Sequence, residues 1–325
     1  MTSEIKVNGL CGAVFRMLGA VISPQGKRGK LVVLIYHRVL PERDPMLDGE
    51  VDAATFEWHM ATLAKHFNVL PLSEAAARLQ DGSLPSRAAC VTFDDGYENN
   101  QSIALPILQK YGVPATFFIA TDFLNGGIMW NDKVIESVRL AEGDVLDLTE
   151  ISLGKHQLGD LVARSQLAKQ LVKQLKHLDY EIRTEQVDQL SQQAGVQLPD
   201  DLMMRDAQVR ALKDGGMEIG CHTHTHPILA CVENTFARQE IMTNKEILED
   251  IVGGRISLFA YPNGRPGSDY TDEHVALVRE LGFSAAVSTA WGAAGSGADL
   301  HQLPRFTPWD SSPSRWVMSL LRQYL

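Results

Sequence analysis

The stretch AACVTFDD at residues 88–95 decides the fold class, because a largely apolar run of six residues leads directly into two aspartates. A run of this length and composition is typical of a strand that is buried on both faces of a parallel sheet. Two adjacent carboxylates repel each other, and burying both is costly unless a cation lies beside them. The stretch therefore predicts a parallel α/β protein with a charged site at the end of a strand.

The alternation of strand and helix patterns continues on both sides of this stretch. Apolar runs predict further strands at residues 30–39, 115–120, 217–222, 256–262, 283–289 and 302–306. Helical periodicity separates most of them, so about seven or eight strands predict an irregular (β/α) barrel. In such barrels the catalytic groups lie at the C-terminal ends of the strands. This rule selects His37, Asp94, Asp95, His222, His226 and the YPNG turn at 261–264.

The alternation stops between residues 128 and 202, where the sequence is polar and helical and contains no apolar strand pattern. We interpret this segment as a helical insertion in a barrel domain of residues 30–325, and residues 1–29 as an N-terminal helical segment. Because the insertion follows the strand at 115–120, we expect it to lie over the mouth of the barrel.

The charge balance excludes one class of partner. The chain of 325 residues has 30 Lys and Arg against 40 Asp and Glu, which gives a formal net charge of −10. A nonspecific grip on the phosphates of nucleic acid is therefore not expected. The sequence also lacks a convincing secretion signal, which indicates a cytoplasmic protein.

The apolar segment LCGAVFRMLGAVI at residues 10–22 is interrupted by Arg16 and is too short to span a bilayer. Its apolar residues have helical spacing, which predicts a helix that packs on its own domain. The alternative is weak contact of this helix with a membrane surface, supported by Lys27, Arg28 and Lys30 behind it. The oligomeric state does not follow from the sequence.

The segment CHTHTHP at residues 221–227 predicts a metal site. A lone buried histidine is usually a hydrogen-bonded core residue, but His222 and His226 are four residues apart directly after a strand. Two imidazoles with one carboxylate form a three-ligand site with an open position, as in catalytic zinc centres. One aspartate of the doublet can then be a ligand, and the other is free to act as general base on a water that the metal activates. The alternative for the doublet is a turn with an Asx cap.

Four motifs together resemble a known family. TFDDG, HTHTH and FAYPNG occur in this order, and the chain resembles the polysaccharide deacetylases of carbohydrate esterase family 4, with the NodB homology domain. YHRV at residues 36–39 resembles the poly-N-acetylglucosamine deacetylase branch. The resemblance extends from about residue 31 to residue 306 apart from the insertion. It implies a distorted (β/α)7 barrel and a metal-dependent hydrolase that removes an N-acetyl group from an amino sugar in a glycan or glycan precursor.

The resemblance also implies roles for individual residues. Asp94 takes the place of the catalytic base, and Asp95, His222 and His226 take the places of the metal ligands. The expected cofactor is Zn²⁺, or another divalent metal such as Co²⁺, Ni²⁺ or Fe²⁺. The backbone N–H near Tyr97 resembles the donor that holds the oxyanion. His37 corresponds to an active-site histidine, although a core histidine bonded to a carbonyl is its alternative.

The chain departs from the family pattern at three places. One is an aspartate–tryptophan pair that is not evident, since PWD at residues 308–310 lies too late in the chain to equate with it. FAYPNG lacks the arginine that usually orients the base, so Arg265 or Arg305 is expected to supply the guanidinium, and Tyr261, Pro262 and Asn263 are expected to shape the cleft. LPRF lacks the usual histidine acid. We therefore expect His37 first and His301 second to be the acid that protonates the leaving amine.

Several functions remain open from the sequence. The main hypothesis is deacetylation of an N-acetylated saccharide, and the insertion would wall the cleft and select the saccharide. Trp130, at the root of the insertion, would stack on a sugar ring or anchor the insertion. The alternatives are a deformylase or O-acetyl esterase on a related sugar, an iron oxygenase with a facial triad, and a catalytically silent saccharide-binding protein.

Overall fold

The computed structural model describes residue 17, residues 19–308 and residues 312–325. The predicted N-terminal helix at residues 10–22 therefore lies mostly outside the described residues. The strands are β1 (Leu31–Tyr36), β2 (Val39–Leu40), β3 (Val51–Asp52), β4 (Asn68–Val69), β5 (Ala88–Phe93), β6 (Ala115–Ile119), β7 (Val145–Leu148), β8 (Gly154–Gln157), β9 (Glu218–Cys221), β10 (Leu258–Ala260) and β11 (Ala285–Val287). Every strand expected in the barrel is present except the one at 302–306, which forms isolated bridges only.

The main sheet has seven parallel strands in the order β1-β5-β6-β9-β10-β11, and β4 pairs with β5 at its N-terminal end. Leu31 to Tyr36 pair in register with Ala88 to Phe93, so the residues after β1 and after β5 emerge side by side. Parallel bridges of Leu303 with Val287 and of Phe306 with Leu34 connect the two ends of the sheet. The sheet is thus a half-barrel closed by a short irregular segment, as the alternation of patterns predicted.

The helices surround this sheet. They are α1 (Ala53–His66), α2 (Leu72–Asp81), α3 (Leu105–Tyr111), α4 (Trp130–Leu140), α5 (Leu161–Leu175), α6 (Tyr180–Ala194), α7 (Asp206–Asp214), α8 (Asn234–Val252), α9 (Asp272–Glu280) and α10 (Pro313–Gln323). Successive strand residues point to opposite faces, so one set packs in a cluster with α1, α8 and α10, and the alternate set packs in a second cluster with α2. Among the described residues, no helix combines the length and apolar character that crossing a bilayer requires.

The insertion has a hydrophobic core of its own. Side chains of α4, α5 and α6, including Val138, Leu171 and Leu190, pack together and also enclose Met46 of the barrel. The segment is not purely helical, and this part of the prediction was wrong. The strands β7 and β8 form an antiparallel hairpin, because the alternation in VLDL buries Leu146 and Leu148 while Asp147 faces solvent.

Candidate metal centre and catalytic cleft

The aspartate doublet occupies a strained turn directly after β5. Asp95 has a φ of +78° and Gly96 a φ of +95°, both in the left-handed region that costs energy for a residue with a side chain. A Cβ at Gly96 would lie 2.9 Å from Cγ2 of Ile119, so only glycine fits there. The Asp94 N–H donates to the Tyr36 carbonyl, and the Ala120 N–H donates to the Asp95 carbonyl. The turn is therefore fixed between β1 and β6.

Asp95, His222 and His226 come together as the sequence predicted. Oδ1 of Asp95 lies 3.4 Å from Nε2 of His222 and 3.5 Å from Nε2 of His226, and the two Nε2 atoms are 3.2 Å apart. The three ligand atoms all lie within 4.8 Å of one another, and all three residues are buried. Nδ1 of His222 donates to the Ala260 carbonyl at 2.8 Å, which leaves the lone pair on Nε2. Two nitrogen donors and one carboxylate oxygen fit a divalent cation such as zinc.

The surroundings of these residues shift their pKa values toward the protonation states that bind a cation. Burial, and then the neighbouring His222, lower the pKa of His226 to about 3, so its imidazole is neutral and able to coordinate. Burial by itself would raise the pKa of Asp95, but the neighbouring imidazoles of His222, His226 and His37 hold that pKa well below its usual range. The ligand set therefore contains one ionised carboxylate at neutral pH.

Asp94 has a different partner, Arg305. Nη1 and Nη2 of Arg305 donate to Oδ1 and Oδ2 of Asp94, each at 2.7 Å, and Nε donates to the Ser288 carbonyl. Burial alone would raise the pKa of Asp94, but the Arg305 guanidinium lowers it. Arg265 is exposed at a turn, so of the two candidate arginines the structure brings Arg305 to the predicted base.

His37 follows β1 beside this pair and is half-buried. Burial alone would lower its pKa, but the negative charges of Asp95, Glu50 and Asp94 raise it, which favours the protonated form that an acid needs. His301 is the wrong second candidate. Its Nε2 pairs with the carbonyl of Phe283, which precedes β11, so the ring lies toward the N-terminal ends of the strands.

Tyr97 lies on the loop after the doublet. Among the described residues its backbone N–H has no protein acceptor. Its hydroxyl donates to Oδ2 of Asp132 at 2.9 Å, and the Arg38 guanidinium lies 4.8 Å from its ring centroid. Burial is the main reason that the pKa of Asp132 is raised to about 6, against the effect of Arg38. Asp132 and Arg38 thus hold the Tyr97 side chain, and the sequence did not single out either residue.

Four residues were expected to contact the substrate, and the structure gives them packing or turn positions. Tyr261 is fully buried, stacks on Tyr270 at 3.8 Å and donates to the His301 carbonyl, so its side chain packs in the core and does not line the cleft. Pro262 is also buried, and Asn263 has a φ of +57° in the turn that follows. Trp130 has the Arg183 guanidinium 4.9 Å from its ring centroid, which favours the anchoring interpretation over a free stacking face.

Two polar residues of α8 hold the histidine segment and were missed. Oδ1 of Asn244 accepts from the His222 N–H, and its Nδ2 donates to the Ile119 carbonyl. The Glu240 carboxylate accepts from the N–H and the hydroxyl of Thr225. The signal was present in the sequence, because both polar residues lie on the apolar face of this amphipathic helix, together with Ala237, Ile241 and Leu248.

A cleft of about 540 Å³ opens beside His37. One wall is the segment from Arg43 to Asp52, which includes Glu50. The insertion supports this wall, because Arg139 pairs with Asp44 at 2.7 Å and Lys169 pairs with Asp48 at 2.6 Å. The volume lies within the range of pockets that bind small ligands.

Comparison with known proteins identifies the family. The family model described as polysaccharide deacetylase matches residues 81–286, more than half of the chain. The Bacillus subtilis (strain 168) protein YxkH, provisionally named a polysaccharide deacetylase, is 22% identical over 282 residues, covering 86% of this chain and 71% of YxkH. A poly-beta-1,6-N-acetyl-D-glucosamine N-deacetylase of Staphylococcus aureus (strain MSSA476) is 32% identical over 112 residues, which are 34% of this chain and 39% of that protein.

The fold agrees with this assignment. The Streptococcus pyogenes deacetylase PplD, solved in complex with acetate, superposes with a TM-score of 0.61 at 19% identity, covering 92% of this chain and 99% of that one. The family match spans the aspartate doublet, both predicted histidine ligands and the insertion. The chain therefore belongs to the polysaccharide deacetylase family.

Proposed function

We propose that this protein is a metal-dependent hydrolase that removes an N-acetyl group from an amino sugar in a glycan or glycan precursor. One observation carries the proposal: two adjacent buried carboxylates have separate partners, Asp95 with two imidazoles and Asp94 with Arg305. A metal ligand and a general base require this separation, because one carboxylate must face the cation while the other stays free to accept a proton. The partial match to a deacetylase of poly-N-acetylglucosamine supports this class of substrate.

Asp95, His222 and His226 would hold the cation, with Zn²⁺ expected first and Co²⁺, Ni²⁺ or Fe²⁺ as alternatives for the same donors. When bound, the cation would act as a Lewis acid toward the amide carbonyl and would lower the pKa of a water molecule. The His222 Nδ1–H to Ala260 bond and the Asn244 side chain keep the first histidine oriented toward this point.

The remaining steps use the side chains around the metal centre. Asp94 removes the proton from the attacking water, and the bidentate Arg305 fixes the direction of this carboxylate. The Tyr97 N–H donates to the oxygen that becomes negative. His37 gives a proton to the leaving amine nitrogen, and the surrounding carboxylates stabilise its protonated form. Each group thus acts at a separate atom of the amide.

The cleft beside His37 is the proposed binding site for the saccharide. The turn Pro45–Leu47 lies in its wall, and Met46 of this turn is buried in the hydrophobic core of the insertion. The insertion therefore sets the position of the wall and, through it, the saccharides that enter. Deleting the insertion should change substrate choice before it changes metal content.

The test is release of acetate from a panel of N-acetylglucosamine oligomers and a nucleotide-linked sugar, with chelator and after metal is restored. We expect release that chelator abolishes and zinc restores. N-formyl and O-acetyl analogues in the same panel test the deformylase and esterase alternatives. Saccharide binding without release from any acylated sugar would contradict the hydrolase and support a silent binding protein.

A further inference from the structure

The helical segment at residues 19–22, with Met17 before it, packs beside α10. A Cβ placed at Gly19 would lie 3.2 Å from Cδ2 of Leu321 and 2.8 Å from Cδ of Arg87, so the two segments are in contact. Nζ of Lys30 donates to the Leu325 carbonyl, which joins them a second time. We call their exposed residues the basic apolar surface and define it by Met17, Val21, Arg28, Arg315, Met318 and Arg322.

Apolar side chains are unusually exposed on this surface. Met17 and Val21 are 74% and 77% exposed, and they lie four residues apart in a helical segment. Met318 is 41% exposed between Arg315 and Arg322 on the outer face of α10. The opposite face of α10 is buried and includes Trp316, Leu320 and Tyr324. α10 thus presents apolar and basic groups together to solvent. The described part of the N-terminal helical segment presents apolar groups only, and the exposed Arg28 follows in a turn.

The charge of these segments is opposite to that of the whole chain. Residues 19–30 and 312–325 contain Lys27, Arg28, Lys30, Arg315 and Arg322 and no acidic residue, whereas the chain has a formal net charge of −10. Lys27 packs against Gly82, beside the exposed Asp81, and is therefore not counted in the basic apolar surface. The surface is therefore a local positive area on an acidic protein.

Among the described residues, the arginines of this surface are not neutralised by ion pairs. Several exposed basic side chains elsewhere are paired, as in Arg238 with Glu280 and Arg279 with Asp299, although Arg210 and Lys213 on α7 form no ion pair with a described carboxylate. Within the described part of the chain, Arg28, Arg315 and Arg322 form no such pair. Unpaired cations beside exposed Met and Val side chains complement a surface that is both anionic and apolar.

We propose that the basic apolar surface binds an anionic phospholipid bilayer. The apolar side chains enter the boundary between headgroups and acyl chains, and the arginines contact the lipid phosphates. The proposal is independent of the deacetylase reaction, since none of these residues belongs to the cleft. It commits to a lipid surface, and a second copy of this chain on the same surface is an outcome that the test distinguishes.

The experiment is flotation of the full chain with vesicles of phosphatidylcholine alone or with about 30% phosphatidylglycerol, at low and high salt. We expect binding to the anionic vesicles only, weakened by salt. The variant R315Q/R322Q should bind about 30-fold more weakly, because each basic residue near an anionic membrane contributes about 1 kcal/mol. The control R210Q/K213Q removes two exposed charges of α7 and should bind like wild type. Circular dichroism and the thermal unfolding transition, measured for all variants, show whether they are folded.

Met318→Ser tests the apolar contribution and should reduce binding several-fold without removing its salt dependence. Failure of the wild-type chain to float with anionic vesicles overturns the proposal. Equal weakening in both double variants also overturns it, because attraction would then depend on total charge. Self-association in sedimentation that Met318→Ser abolishes would assign the surface to a second copy instead.

Discussion

The two sides of the aspartate doublet differ in how their charge is balanced. Asp94, the proposed base, receives two hydrogen bonds from a buried guanidinium, so its charge is compensated within the protein. Asp95, the proposed ligand, lies 3.4 and 3.5 Å from the Nε2 atoms of two histidines, and the pKa of one of these imidazoles is lowered to about 3. Two neighbouring residues of one type thus have different partners because the fold places different side chains opposite them, and this difference is the reason that we propose separate roles for them.

The sharpest test of this difference is Asp95→Asn. Loss of one ligand of three should remove the cation and lower acetate release by about 10⁴-fold or more, because the Lewis acid is lost. Mass spectrometry of the native protein would measure bound metal, and an assay would measure acetate. Asp122→Asn, an exposed aspartate after β6, is the control and should retain both. Full metal content in Asp95→Asn would contradict the assigned ligand set.

The adjacent change Asp94→Asn should give the opposite combination. The cation should remain, while turnover falls by about 10³-fold because the amide cannot accept a proton from water. Metal content and turnover are measured as for Asp95→Asn. If Asp94→Asn and Asp95→Asn both lose the metal, Asp94 also contributes to metal binding, and the proposed separation of ligand and base is refuted.

His37→Ala should lower turnover by about 10²-fold with metal retained, since a general acid contributes about this much. The expected loss is smaller for an activated ester, whose leaving group needs no proton, so the ratio of amide to ester rates is the measurement. His301→Ala is a matched control that should be unaffected in this ratio. An equal loss on both substrates would assign His37 to packing or binding.

Arg305→Lys keeps the positive charge but cannot form the bidentate bond to Asp94. We expect turnover to fall by about 10- to 100-fold, which corresponds to loss of one charge-assisted hydrogen bond, and the melting temperature to fall as well. Arg265→Lys, an exposed arginine, should change neither quantity. Turnover at the wild-type level in Arg305→Lys would show that orientation of the base does not depend on the bidentate hydrogen bonds from Arg305.

The smallest effect is expected for Asn244→Ala on the ligand side. Removal of this amide leaves the His222 N–H and the Ile119 carbonyl without their partner, so metal affinity should fall by about tenfold. Titration of the apoprotein with zinc measures the affinity. Asn234→Ala, at the exposed first residue of the same helix, serves as the control, and equal affinities in the two variants would refute the role of Asn244.

The sequence was most informative where one local pattern determines both structure and chemistry. The apolar run before Asp94 predicted β5, and parallel pairing then placed the strand ends at one edge. The four-residue spacing of His222 and His226 predicted their convergence. These inferences needed only local periodicity and the rule that catalytic groups follow barrel strands.

Other contacts could not be predicted because they join residues far apart in the chain. Arg305 and Asp94 are separated by 211 positions, and nothing local distinguished Arg305 from Arg265 as the partner. Asp132 reaches Tyr97 only because α4 begins against the loop that follows the aspartate doublet. Tyr261 was placed at the cleft by its motif, although stacking on Tyr270 buries it in the core.

The burial of Met46 among insertion side chains has a consequence for how the chain acquires its shape. The Ser165 hydroxyl donates to the Met46 carbonyl across 119 positions, and Leu171 lies in the same cluster. During synthesis from the N-terminus, the segment around Met46 emerges long before these partners exist, and long-range contacts form late because closing a long loop is entropically costly. The pocket wall is thus completed only after α5 has left the ribosome, and nascent chains shorter than this have an unfinished entrance.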